Sequence, residues 1–173
     1  MDIVAERPEH AAAIKTLLDL SFGPRRHERT SYRLRRNVLA CAELCHVALE
    51  AGALRGSLRF WPILAAGQSA LLLGPLAVDP EHRGRGFGVG LFRHGLALAE
   101  HLDHRIVLLI GDPEYYERFG FSRALTRGLT LPGPVEDRRF LGLELAPGAL
   151  AGLEGRVTAI APASGRIRAA GRR

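Results

Sequence analysis

The chain has 173 residues, 47% hydrophobic and 24% charged, which excludes a disordered or fibrous protein and predicts one globular domain with its own core. Lysine and arginine number 24 against 18 acids, a formal net charge of +6, but aromatic residues are only 6%, poor material for stacking on bases, so nucleic acid is not the expected partner. The opening "MDIVAERPEH" is no signal peptide, and no stretch approaches the roughly 20 apolar residues that span a bilayer, which predicts a cytoplasmic protein without membrane contact.

"DIVAER" reads as a first strand. Pro8 opens a helix in which Ala12, Ile14, Leu17, Leu18 and Phe22 recur at helical spacing. Gly23–Pro24 ends it, and "FGPRRHERTSYRLRRN" predicts a second, strongly basic helix. "CAELCH" brings Cys41, Cys45 and His46 together, but three donors with no second pair downstream fall short of a closed zinc site. The cysteines read as small, reduced, apolar residues on one helix face, and no metal is expected. "HVALEAGALRGSLRFWPIL" alternates as two strands about a turn at Ala51–Gly52, with Trp61 suited equally to a pocket or to the core. "SALLLGPLAV" is a longer apolar strand, and a helix follows from about Val89 to His101. "HRIVLLIGD" is a continuous apolar run, the pattern of a strand buried on both faces. "PEYYERFGF" is a short aromatic segment, and "LTRGLTL" and "RRFLGLELA" read as two closing strands. These elements fill residues 1–150 as one domain. Residues 151–173 read as a C-terminal extension whose tail, loose from about Ser164, carries Arg166, Arg168, Arg172 and Arg173.

Two features between Leu73 and Gly90 carry chemistry. Pro75 has no N–H for a ladder, and Gly74 weakens a strand interior, so a Gly-Pro there predicts a bulge or a parting of neighbouring strands. Parted strands leave backbone groups unpaired, and an extended ligand with amide groups fits beside Leu76, Ala77 and Val78. Next comes "DPEHRGRGFGVGLFRHGL", with Gly84, Gly86, Gly88 and Gly90 at alternate positions between a strand and a helix. Glycines there let backbone N–H groups converge on an anion, and the helix dipole favours it; a diphosphate is the natural ligand. This stretch holds no lysine followed by Ser or Thr, so it is not a P-loop. The dinucleotide fingerprint fails too, because its final glycine position falls on Val89 or Leu91.

Arg83-Gly84-Arg85-Gly86-Phe87-Gly88 matches Arg/Gln-x-x-Gly-x-Gly/Ala, behind "LGPLAVDPEH" and ahead of "YYERFGF". In this order the motifs resemble the GCN5-related N-acetyltransferase (GNAT) superfamily, and within it a branch of small bacterial predicted acetyltransferases. The resemblance runs from "DIVAER" to about "LELAPGAL". It implies an α/β fold with a mixed, splayed central sheet flanked by helices, and acetyl-CoA as co-substrate. Leu76, Ala77 and Val78 would pair with the pantetheine arm, a backbone N–H there polarising the thioester carbonyl. Backbone N–H groups of Arg83, Gly84, Arg85, Gly86, Phe87, Gly88, Val89 and Gly90 would hold the pyrophosphate. Arg85 adds charge near it or is a solvated loop arginine, and Phe87 packs beneath the loop.

The resemblance also places the family's tyrosine acid at Tyr116, with Tyr115 as a wall residue and Phe119 and Phe121 in the core. Two departures stand out. The strand before the glycines carries no glutamate to act as general base, which leaves a water chain, Glu28 or Asp112. Gly111-Asp112-Pro113 replaces the usual asparagine, so one cofactor contact does not carry over. The implied activity is direct acetyl transfer to an amine in a ternary complex, by a monomer or homodimer. The alternative is a non-catalytic acyl-CoA-binding module on the same fold. The acceptor entrance would include Arg25, Arg26 and Arg29, which suit an acidic acceptor or form a solvated basic helix.

Overall fold

The structure, a computed structural model, describes residues 1–160. Eight strands form the sheet: β1 (Asp2–Ala5), β2 (His46–Glu50), β3 (Ala53–Ala65), β4 (Gln68–Val78), β5 (Ile106–Ile110), β6 (Leu129–Thr130), β7 (Phe140–Glu144) and β8 (Gly155–Ala159). The helices are α1 (Ala11–Phe22), α2 (Thr30–Arg33), α3 (Phe87–His101) and α4 (Pro113–Tyr116). The order β1-β2-β3-β4-β5-β7 is antiparallel except for the parallel β4–β5 pair, so the sheet is mixed. No helix among the described residues is long and apolar enough to cross a membrane.

The periodicities sort the helices onto the sheet. Phe87, Leu91, Phe92 and Ala99 of α3 pack on Leu58, Phe60, Leu71, Leu73, Val107 and Leu109. Ile14, Leu17 and Leu18 of α1 pack on Val47 and Ala77 of the opposite face. Alternate residues of β5 serve both sides: Val107 and Leu109 face α3, while Ile106 and Leu108 enter a second cluster with Ala70, Leu72 and Phe140. That explains its unbroken apolar run.

The Gly-Pro in β4 is a bulge that also splits the sheet. Leu73 pairs with Phe60 and Leu76 with Leu58, so Gly74 and Pro75 stand opposite the single residue Arg59. The extra residue inverts the alternation. Leu71 and Leu73 face α3 before it; Leu76 and Val78 do so after it, while Ala77 turns to α1. β4 pairs with β5 only at Leu71–Val107 and Leu72–Leu108. Beyond Leu72 the strands part, as expected for a splayed sheet. The Gly74 carbonyl accepts a 2.8 Å hydrogen bond from Trp61 Nε1, which gives that half-buried indole a structural role at the split.

Four expectations change. The basic second helix is a 3₁₀ turn, Pro24–Glu28, and the single turn α2, because Arg29 is extended (φ −67°, ψ 148°) and interrupts it. Cys41 and Cys45 flank a 3₁₀ turn, Ala42–Leu44, rather than sharing a helix face, and the Cys45 thiol donates to the Cys41 carbonyl. Only Leu129–Thr130 of "LTRGLTL" is strand. The sheet also runs past residue 150, where the sequence placed the end of the domain. β8 pairs Ile63, Leu64 and Ala65 of β3 with Ala159, Thr158 and Val157, and Val157 is buried in the core. Val157 and Ala159 alternate with Arg156 and Thr158, but two apolar positions are too short a run to stand out in the sequence, and pairing with β3 specifies the strand. The arginines of the tail lie outside the described residues.

Candidate active site

Where β4 and β5 part, a cleft of about 650 Å³ opens between the free edge of β4 and the start of α3. Its walls include Leu76, Ala77, Val78, Arg83, Gly84, Gly86, Phe87, Gly88, Val89, Tyr115 and Tyr116, most of the residues singled out from the sequence. The Asp79 N–H bonds across to Arg55 of the neighbouring β3 chain at 2.8 Å. By strand alternation the N–H groups of Val78 and Leu76 then point the other way, along the unpaired edge.

Gly86 is the residue before α3 and takes a left-handed conformation (φ 89°) that only glycine adopts without cost. It turns the chain into α3 where the cleft begins, and Phe87, Gly88 and Val89 of the first turn line that cleft. Among the described residues, none of the N–H groups of residues 84–89 has a protein acceptor. Orphan donors at the N-terminus of a long helix form an anion site. Gly88 serves differently. A Cβ there would stand 3.2 Å from Val78 Cγ2 and 3.3 Å from Tyr115 Oη, so its smallness lets loop, strand and tyrosine meet. Phe87 is buried beneath the loop.

Two residues of the expected set stand apart. The Gly90 N–H already donates to the Gly86 carbonyl at 2.8 Å, and the residue backs onto Met1 and Ile3. It is spent on the helix and has no donor for a phosphate. Arg85 leaves the cleft and grips Glu50 with both terminal guanidinium nitrogens, at 3.1 and 2.7 Å. We therefore expect Arg85→Ala to change CoA affinity by less than about threefold in titration calorimetry, the scale of a surface ion pair. A tenfold loss would mean that its charge acts on the ligand. Arg118 was not anticipated; it stacks over Tyr115 at 4.3 Å and lines the cleft. One arginine among aromatics gave no signal for this.

A smaller cleft of about 170 Å³ lies on the other side of the split, between β5 and the segment around α2. Phe22, Leu76, Asp112 and Tyr116 border both clefts. Tyr115 borders only the larger one. The Tyr116 ring packs on Phe92 (5.5 Å between centroids) and Phe121 (6.2 Å) and leans on the bare Cα of Gly111, where a Cβ would collide with it. The departure at "GDP" thus makes room for the tyrosine. Burial, with smaller contributions from Tyr115 and Asp112, pushes the Tyr116 phenol up to about 12, so it stays protonated at neutral pH. Of the two carboxylates considered as proton acceptors, Asp112 is at the junction, 3.2 Å from Arg139 Nε. Glu28 is held by Arg25 and lines a wider cleft that adjoins the smaller one, away from Tyr116.

A mixed sheet split beside a glycine-rich helix start, with a tyrosine across the gap, is the arrangement that the resemblance to the N-acetyltransferases implies. Residues 11–121 match the profile of the acetyltransferase (GNAT) family, and the chain belongs to that family. It is 32% identical over 159 residues to the uncharacterized N-acetyltransferase YhbS of Escherichia coli, covering 91% of this chain and 95% of that protein. The crystal structure of YhbS in complex with CoA superposes with a TM-score of 0.79 at 30% identity, over 92% of this chain and 89% of that one. A GNAT family acetyltransferase from Brucella melitensis, in complex with acetyl-CoA, gives 0.69 at 29% identity over 92% and 96%.

Proposed function

We propose that this chain is an acetyl-CoA-dependent N-acetyltransferase that moves the acetyl group directly to an amine in a ternary complex. The carrying observation is that Tyr116 borders both clefts, where a thioester laid along β4 would meet an amine from the opposite side. The pyrophosphate would sit on the N–H groups of residues 84–89, with Arg83 and Arg118 nearby. The pantetheine would pair with the free edge at Leu76 and Val78, whose outward N–H groups suit its amides and the thioester carbonyl. The amine nitrogen attacks that carbonyl, the C–N bond forms and the C–S bond breaks. Tyr116 gives its proton to the departing thiolate. The proton lost by the amine leaves to water at the Asp112 end.

The position of the cysteines supports direct transfer over a route through a cysteine thioester. Neither borders the two clefts, and burial pushes the Cys45 thiol up to about 11, away from the reactive thiolate. The test pairs calorimetry, first with CoA and then with acetyl-CoA, with thiol release across an amine library. Binding with thiol release that depends on the amine is the expected result. Binding with no release for any amine would favour a non-catalytic acyl-CoA-binding module. No binding would overturn both readings.

A further inference from the structure

We propose that the acceptor is a small amine that also bears an anionic group, a carboxylate in the first instance, and that Arg35 holds that group. The proposal rests on the reading of the two clefts above and names the substrate class for the second. The smaller cleft adjoins a wide one of about 750 Å³, and the two share Arg26, Tyr32, Arg35 and Pro75. Seven arginines line this joined space. Arg29, Arg33 and Arg36 are exposed to solvent, and Arg26, Arg59 and Arg139 each have a carboxylate. Arg26 is buried and donates to Asp19 and to the Tyr32 hydroxyl, both at 2.9 Å. Arg59 grips Glu6 through two bonds, and Arg139 faces Asp112.

Arg35 is the exception. Among the described residues it has no ion-pair partner, and its buried Nε has no hydrogen-bond acceptor. Its guanidinium stacks over Tyr32 (4.9 Å) and Trp61 (5.7 Å) and stands against the bulge, with a terminal nitrogen 3.3 Å from where a Gly74 Cβ would lie. Burial lowers its pKa to about 10, which still leaves it charged at neutral pH. A partly desolvated cation with a buried Nε and no counter-ion is costly, and an anionic ligand lowers that cost. The aromatic faces flank the planar guanidinium, which lines both clefts, and such a fork suits a carboxylate. The small cleft is below the roughly 300–1,000 Å³ of drug-sized pockets, which limits the amine end to a small molecule.

The test uses the full chain saturated with CoA and, as probes, a panel of amino acids including β-alanine, their carboxamides, and O-phosphoethanolamine. We expect at least one acid to bind about tenfold or more tighter than its amide, the scale of a charge-assisted hydrogen bond. Arg35→Gln erases that preference while CoA affinity holds, and Arg35→Lys keeps part of it. Thermal melting of the unliganded Gln variant stays level or rises, because an unpaired buried charge is removed; a merely structural arginine would lower it. Preference for O-phosphoethanolamine over every carboxylate would keep the anion site and change its ligand to a phosphate. Amides bound as tightly as acids, or a preference that survives Arg35→Gln, would overturn the proposal. Thiol release separates the two readings: transfer to amines regardless of charge sinks this inference alone. Acids that bind through Arg35 without thiol release sink the transferase reading and not the anion site.

Discussion

Tyr116→Phe leaves acetyl-CoA binding nearly unchanged and lowers turnover by roughly 10²–10³-fold, the lower part of the range for losing a positioned proton donor, since CoA thiolate is a tolerable leaving group. The substitution keeps the ring, so packing against Phe92, Phe121 and Gly111 survives. Only the phenol at the junction of the clefts is removed. Tyr115→Phe is the control. Its hydroxyl lies by Gly88 on the cofactor side alone, so it should affect cofactor affinity more than turnover. The pH profile gives a second reading. With the phenol pushed up to about 12, the wild type should show no loss from its ionisation until past the ordinary tyrosine range near 10. Any limb above that should vanish in the Phe variant.

The same shift has a consequence for stability. The folded pKa is raised above the unfolded value of 10, so folding favours the protonated phenol. That contribution is complete below pH 10 and is lost as pH rises through about 12. The denaturant midpoint of the wild type should fall relative to that of Tyr116→Phe over this window. Parent turnover in Tyr116→Phe would leave the chemistry to positioning and to the Val78 N–H.

Gly88→Val weakens CoA binding by more than tenfold without unfolding the protein, since lost charge-assisted hydrogen bonds are worth roughly 1.5–3 kcal/mol each. The added Cβ meets Val78 Cγ2 at 3.2 Å and Tyr115 Oη at 3.3 Å, and the γ-carbons have only the cleft or these neighbours to enter. Either the loop moves and its N–H groups lose their aim, or the pyrophosphate space fills. Gly88→Ala grades the effect. It occupies the first turn of α3, where alanine is about 0.8–1 kcal/mol better than glycine for the helix, so it offsets part of any loss of stability while still weakening CoA binding. Calorimetry with CoA and circular dichroism decide. Unchanged affinity in folded Gly88→Val would show that the pyrophosphate does not rest on this turn.

Local patterns carried the reading of the cofactor side. The helical spacing of Ile14, Leu17 and Leu18, the unbroken apolar run of β5 and the glycines opening α3 are each encoded within a few neighbouring residues. The break in β4 and the glycine turn could therefore be read in a line, while the tyrosine was placed by the family resemblance. Even there the side chains were less legible than the backbone: Arg85 and Gly90 belonged to the motif but not to the cleft.

What the sequence by itself determined is the α/β order of elements, the break at Gly74–Pro75 and the glycine turn at Gly86–Gly88, all of which depend on backbone conformation and short-range periodicity. Tyr116 was singled out by the resemblance to the family, not by any local pattern. Only the tertiary structure decided that the break stands opposite Arg59 and parts β4 from β5, and that β8 completes the sheet on β3. It also decided which arginines are neutralised. Glu6 reaches Arg59 across 53 positions and Glu50 reaches Arg85 across 35, while Arg35 has no ion-pair partner among the described residues. Charge pairing and edge-strand pairing are contacts between distant parts of the chain, and a run of neighbouring residues holds no record of them until the sheet brings the partners together.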